Sequence, residues 1–556
     1  MQYTISQFEF FDRLYNFISS EKEESGTVQD HDFSHLIKIF CSLCQTESKK
    51  SEDTDQIRSC GIKGLQGVLR KSMEQKQRDE LVKKYADIII PALLFNLQDN
   101  IESDNRSSES IDDESPRGLS DQVLRDLLSR ITMDQIKLVI HPLLKHLDNG
   151  NLWTSDNSVI WAQLFMRSVR ESYSHLIIKL ILGKFTFRKS SLSKFSAHVR
   201  SKDTIKKSHE IEGILNVVSQ VSSISDTNTL GTIANELFML VVSIVADIKS
   251  NSSLCSQFTQ TCGTIISNVQ NYIQIEVLES MLQQVNQCED EKQAFILLQI
   301  MAHCCTFYKA SNTNDYMIMN FIKSLIELSQ QKKMSSEGSL LVGRMLVKVL
   351  DNNGNVQALS RGGSWRESSL ISAKSASASL RKQSRPLIQW LYDQLRKEDN
   401  QTANFLTYYQ LGGVLLAEIN DRNDHTIRSD LVQQMTKVIL AIQDLNRTED
   451  LFEDATKCQT HAALAALLSL ISATCVEAMQ NYVQQVVNER KHGKPQLAPD
   501  SLFSGSSDAL RRSTASLYSR NVEKDDMDKL FFNRYYFIFK RRVNKFSDKP
   551  FVTIYG

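Results

Sequence analysis

Ester hydrolysis is the first chemistry to test, because a serine hydrolase would carry its nucleophile on a G-x-S-x-G strand-to-helix turn. The strings nearest to that pattern, GGSWRES at 362–368 and FSGSSD at 503–508, lack the second glycine. An α/β-hydrolase also needs a parallel sheet, and strand periodicity is nearly absent, so the sequence argues against a lipase. His141, His146 and His175 each fall at a helical position with no acid or nucleophile at useful spacing, and read as structural hydrogen-bonding groups. Cys41 and Cys44 make a CxxC, but no second pair or His partner follows at zinc-finger spacing. Phosphate-loop and dinucleotide fingerprints are missing as well. No catalytic, cofactor or metal site is expected, and the chain does not read as an enzyme.

Charge points to surfaces instead. Lys plus Arg and Asp plus Glu are 65 each, so no global field draws the chain to nucleic acid or anionic lipid. Locally the balance differs. Residues 184–207 hold Lys184, Arg188, Lys189, Lys194, Arg200, Lys202, Lys206 and Lys207 against Asp203 alone, with Phe185, Phe187 and Phe195 interleaved. Beside an anionic leaflet each basic residue contributes about 1 kcal/mol, which makes this run a candidate membrane contact; the competing reading is a solvated loop between repeats. The end at 528–546, DKLFFNRYYFIFKRRVNKF, mixes aromatic and basic residues in a way that suits a membrane interface, or else is a divergent terminus.

These residues must be positioned by helices. Only 7 prolines and 20 glycines interrupt 556 residues, and most windows repeat apolar residues at i, i+3 and i+4. The chain is too long for one compact core, which favours several domains or a repeat architecture. Helices are expected at 31–45, 120–131, 155–183, 209–250, 273–309, 313–352, 386–420, 425–446 and 459–490. Thr132 and Gln135 supply a capping box. In 57–71, IRSCGIKGLQGVLRK, Gly61, Gly64 and Val68 share one face and Ile62, Leu65 and Leu69 another, so a second helix can approach the glycine side closely. A faint internal echo follows: Ile89, Ile90, Leu93, Leu94 and Leu97 recur as Val139, Ile140, Leu143, Leu144 and Leu147, with Pro91 and Pro142 one place apart in register. Helix pairs of roughly this period mark HEAT and armadillo solenoids, so the fold class expected is an all-α helical-repeat solenoid, a curved rod. The ten cysteines lie mostly in apolar helical patterns and, with no signal peptide at Met1, read as reduced core thiols.

Three stretches break the pattern. An acidic serine loop occupies 103–118, a Ser/Arg-rich linker 353–385, and a mostly disordered tail 491–556. They divide the chain into a solenoid at 1–352 and a distal helical unit at 386–490.

The wording of several strings narrows the family. GIKGLQGVLRK at 61–71, followed by IIPALLFNLQ at 89–98, closely resembles a signature of the rolling blackout (eighty-five-requiring-three) family, including the triad Gly61, Gly64 and Gly67. Further matches come in order: LRDLLSRIT at 124–132, HPLLKHLDNGNLW at 141–153, ESYSHLIIKLILG at 171–183, YDQLRKEDNQTANFLTYYQLGGVLLAEI at 392–419, ILAIQD at 439–444, HAALAALLSLISATC at 461–475 and PDSLF at 499–503. The resemblance implies a peripheral scaffold on the cytosolic face of the plasma membrane. Such a scaffold recruits phosphatidylinositol 4-kinase type III alpha through a tetratricopeptide-repeat subunit and hyccin, supports phosphatidylinositol 4-phosphate synthesis, and meets an anionic membrane surface. Its rival is a generic helical-repeat adaptor or transport receptor. Family members begin with a cysteine-rich acylated segment that this sequence does not show before its first repeats, so the chain expressed alone is expected in the cytosol. The basic run at 184–207 also departs from the family wording.

Overall fold

The computed structural model describes residues 34–47, 51–71, 75–98, 114–192, 202–225, 227–248, 252–309, 315–331, 334–351, 354, 356, 359, 378–419, 425–448, 454–474 and 480–503. Among them there is no strand. The chain divides into two compact units, Met1–Gln270 and Asn271–Gly556.

In the first unit the helices are α1 (Ser34–Cys44), α2 (Ser51–Lys71), α3 (Gln75–Gln98), α4 (Pro116–Ser129), α5 (Ile136–Asn149), α6 (Asp156–Ser168), α7 (Ser174–Leu192), α8 (Lys202–Ser222), α9 (Thr227–Ile248) and α10 (Ser252–Asn268). They form two rows. Each odd-numbered helix packs on the next odd one, each even-numbered helix on the next even one, and most consecutive helices also touch across the rows. That is the arrangement of stacked helical pairs, in which no pair could bury its apolar face alone. The echo between 89–97 and 139–147 falls on α3 and α5, neighbours in one row, with Pro91 and Pro142 inside them.

The second unit repeats the scheme with α11 (Asn271–Gln287), α12 (Glu291–Thr306), α13 (Asp315–Gln331), α14 (Ser336–Leu350), α15 (Ala378–Leu395), α16 (Thr402–Ile419), α17 (His425–Thr448) and α18 (Asp454–Thr474). Then α19 (Gln480–Gly493), a 3-10 turn at Pro495–Leu497 and the short α20 (Asp500–Phe503) fold back over α18, and α20 also touches α16. Consequently every residue from Leu411 to Ala417 of α16 is buried.

Several expected boundaries are corrected. The stretches 155–183, 209–250, 273–309, 313–352 and 386–420 are each two helices rather than one, and 459–490 holds parts of α18 and α19. The apolar period runs on through these corners because both helices bury a face. The breaks are made by polar caps: Asp290 accepts from Lys292 N at 2.8 Å and Gln293 N at 3.2 Å, and Ser335 Oγ accepts from Gly338 N at 3.3 Å. The acidic loop ends before Pro116, where Ser115 Oγ accepts from Gly118 N at 3.1 Å and Pro116 opens α4. Helix α15 starts at Ala378, inside the expected linker, and Leu359 of that linker is fully buried. The contacts divide the chain at Gln270, and α15 and α16 pack on α13 and α14, so no separate unit begins at 386. Residues 494–503 of the expected tail are ordered and pack on α18; 504–556 lie outside the described residues. The capping box at Thr132 and Gln135 forms, with Thr132 N–H donating to Gln135 Oε1 at 3.0 Å.

Candidate functional site

The glycine face of α2 lies against α1. A Cβ added at Gly61 would stand 2.9 Å from Cys44 N, Leu43 Cβ and the Phe40 carbonyl oxygen, and one at Gly64 would overlap the Phe40 ring. Gly67 is buried too. The end of α1 is then closed by side chains from α2 and α3. Asn96 Nδ2 donates to Cys44 O at 3.0 Å, Arg58 Nε donates to Thr46 O at 2.9 Å, and the Arg58 guanidinium lies 5.0 Å from the centroid of the Phe95 ring. The Asn96 bond satisfies a carbonyl that the end of α1 leaves open. Burial pushes the Cys41 thiol up to about 12, and burial with Cys41 alongside pushes Cys44 up as well, which disfavours the thiolate that a nucleophile or metal ligand needs.

Among the basic run, Lys184 has a structural partner. Its Nζ pairs with Asp148 Oδ2 at 2.8 Å, while Asp148 Oδ1 accepts from Trp153 Nε1 at 2.7 Å. Ser158 Oγ donates to the Trp153 carbonyl at 3.1 Å, and a Cβ at Gly213 of α8 would overlap that same carbonyl. Lys184 therefore ties α7 to the last turn of α5. The expected loop at 184–207 is largely helical: Arg188 and Lys189 are in α7, and Lys202, Lys206 and Lys207 in the first turns of α8. Lys194 and Arg200, and the side chains of the other five, lie outside the described residues.

The histidines do not assemble a catalytic constellation. His141 is exposed on α5, His175 opens α7 with a buried Nδ1, and none of the three hydrogen-bonds to a carboxylate or hydroxyl among the described residues. Burial lowers the pKa of His146, whose ring stands 5.4 Å from that of Trp161. Among the described residues no three His, Cys, Asp or Glu side chains gather as a metal cluster, and no helix is long and apolar enough to cross a membrane. The string at 362–368 lies outside the described residues.

The 392–419 string builds a polar corner, a role that periodicity alone did not reveal. Lys397 Nζ donates to Met334 O at 2.9 Å and Ser339 Oγ at 2.6 Å, and Asp399 Oδ2 accepts from Ser336 N at 2.9 Å, capping α14. Asn404 Nδ2 donates to Ser336 O at 2.7 Å, and Tyr408 OH to Asn400 Oδ1 at 3.3 Å. Beneath them Trp390 Nε1 donates to Ser329 Oγ at 2.7 Å. Gly412 and Gly413 let α16 close on its neighbours, since added Cβ atoms would come within 2.6 Å of Leu467 and Leu359 respectively. The PDSLF string ends the stack, with Phe503 edge-on to Tyr409 at 5.5 Å. Arg490, fully buried, donates to His461 O and Leu497 O at 3.0 Å each, and burial lowers its pKa to about 9. The ordered strings thus serve to pack the helices of each unit.

Comparison with known proteins bears on what such a stack belongs to. The family model described as "EFR3, armadillo repeat" matches residues 11–539. Human Protein EFR3 homolog B is 26% identical over 538 residues, covering 88% of this chain and 63% of the relative. The Drosophila melanogaster Protein EFR3 homolog cmp44E is 23% identical over 504 residues, covering 84% of this chain and 56% of the relative. The chain thus spans less than two thirds of the length of these relatives. A solved structure of importin β superimposes with a TM-score of 0.26 at 11% identity, over 87% of this chain and 58% of that one, too weak a likeness to decide anything. Two rows of stacked helices, the ordered signature strings and a match over nearly the whole chain agree: the chain belongs to the EFR3 armadillo-repeat family.

Proposed function

We propose that this chain is the helical-repeat body of a non-enzymatic scaffold that helps recruit phosphatidylinositol 4-kinase type III alpha to the cytosolic face of the plasma membrane. It acts through a tetratricopeptide-repeat subunit and hyccin and so supports phosphatidylinositol 4-phosphate synthesis. The observation that carries this reading is the family match over residues 11–539. The internal architecture supports it: the signature residues are used to stack helices, which leaves function to the surfaces. Membrane contact is assigned to the basic run from Arg188 to Lys207, without Lys184, whose ammonium is paired with Asp148. Depleting the protein in its own cells tests the proposal. The kinase should leave the plasma membrane and phosphatidylinositol 4-phosphate there should fall; unchanged kinase location and lipid level would refute it.

A further inference from the structure

Of the 7 prolines only Pro116 follows a serine or threonine, so Ser115-Pro116 is the single Ser/Thr-Pro step in the 556 residues. It stands where the acidic serine stretch gives way to α4. A proline drives the residue before it into extended backbone, and Ser115 has φ −66° and ψ 151°. The Ser115 carbonyl is committed to the helix, accepting from Leu119 N at 2.9 Å. Its hydroxyl is held more lightly, by the one bond from Gly118 N at 3.1 Å, and the residue is only half-buried. Helix ends open locally at little cost, so Oγ leaves its cap without disturbing the stack.

We infer that Ser115 is a phosphorylation site for a proline-directed serine/threonine kinase, and that the first turn of α4 receives the phosphate. In the transfer Ser115 Oγ attacks the γ-phosphorus of ATP. The new O–P bond forms as the bond to the departing ADP oxygen breaks, and the hydroxyl proton passes to a base of the kinase. Afterwards the phosphate oxygens take over from Oγ as acceptors for Gly118 N–H and add Arg117 N–H, both donors that a helix start leaves open. The first turn holds no acid, and the Arg117 guanidinium makes no hydrogen bond or ion pair among the described residues, so it is available to the new charge. Asp112, Asp113 and Glu114 precede the site and repel a phosphate. The two influences have opposite signs: the helix end and Arg117 favour the dianion, and the acids favour the monoanion.

The whole folded chain, incubated with ATP and either a cyclin-dependent or a mitogen-activated kinase, tests both halves. Mass spectrometry should place phosphate on Ser115 with at least one of the two enzymes. Pro116→Ala keeps the serine and its cap but removes the residue that this kinase class reads, and should abolish the incorporation. No phosphate on Ser115 with either kinase, or undiminished incorporation in Pro116→Ala, would overturn the site. Phosphorus NMR of the phosphorylated chain then reads the second ionisation of the phosphate, ordinarily near about 6. Its midpoint should lie a few tenths of a pH unit below that of the same chain unfolded in urea, about the size of a helix-end effect, and Arg117→Ala should move it part of the way back. A midpoint equal to or above the unfolded value would overturn the helix end as receiver.

Discussion

At the α1–α2 corner the helices meet through missing side chains, Gly61 and Gly64 admitting the Phe40 turn of α1 to the backbone of α2; at the α13–α16 corner they meet through an excess of polar ones, with Lys397, Asp399, Asn400, Asn404 and Tyr408 joined to Met334, Ser336 and Ser339. Both corners carry strings shared with the family, yet they should fail for opposite reasons. The first is sensitive above all to volume, because an added Cβ has nowhere to go. The second tolerates little loss of polarity, because its buried side chains hydrogen-bond one another and the backbone of the facing helices.

The largest effect is expected at Gly64. Gly64→Leu should force α1 and α2 apart and lower the urea unfolding free energy by about 1–3 kcal/mol, and Phe40→Ala in the same chain should restore part of the loss. An unchanged midpoint would remove the volume half of the contrast. Next comes Asn404→Leu, close in volume but unable to donate. It removes the bonds of Asn404 to Ser336 O and Gln401 N and should cost about 1–3 kcal/mol, toward the lower end because the helical bond of Ser336 O and the other bonds of the corner remain. A neutral result, read by the same urea titration, would show that shape rather than hydrogen bonding holds this corner.

Smaller still is the effect expected for Lys184→Met. The ion pair with Asp148 is partly exposed, so stability should change by about 1 kcal/mol or less. Binding of the purified chain to anionic vesicles should be unaffected by this change. Replacing Arg188, Lys189, Lys206 and Lys207 together by Gln should weaken the binding, which itself should fade as salt rises. Equal losses from both changes would return Lys184 to the membrane surface. The smallest effect concerns pH. Burial lowers the His146 pKa below its usual 6.5. The unfolded chain therefore binds more protons between that lowered value and 6.5, and stability falls as pH drops through this window. The difference between wild type and His146→Phe should shrink toward acid, as measured by thermal melts from neutral to mildly acidic pH.

How much of this was legible depended on what each feature leaves in a sequence. Helical period, the glycine face of α2 and the Thr132–Gln135 cap are local patterns, and the structure has all three. Helix breaks were missed because corners such as 288–290 and 334–335 carry neither Gly nor Pro, and only an Asp or Ser cap marks the new start. Successive helices of one row start at Ser34, Gln75, Ile136, Ser174 and Thr227, an irregular step that leaves only one echo visible. Long-range pairing is invisible to periodicity: nothing local ties Lys184 to Asp148, Lys397 to Met334 or Leu359 to Gly413. Arg490 shows this most plainly, since a basic residue beside Lys491 and His492 reads as solvated while the fold buries it completely against two carbonyls.

If the signature strings serve packing and the protein works as a scaffold, its partners should survive purification with it. Affinity capture of the tagged protein from its own cells, with mass spectrometry of what accompanies it, tests this most directly. Phosphatidylinositol 4-kinase type III alpha, the tetratricopeptide-repeat subunit and hyccin should be enriched together over an untagged control. Recovery of a different set of partners with none of these three would contradict the account.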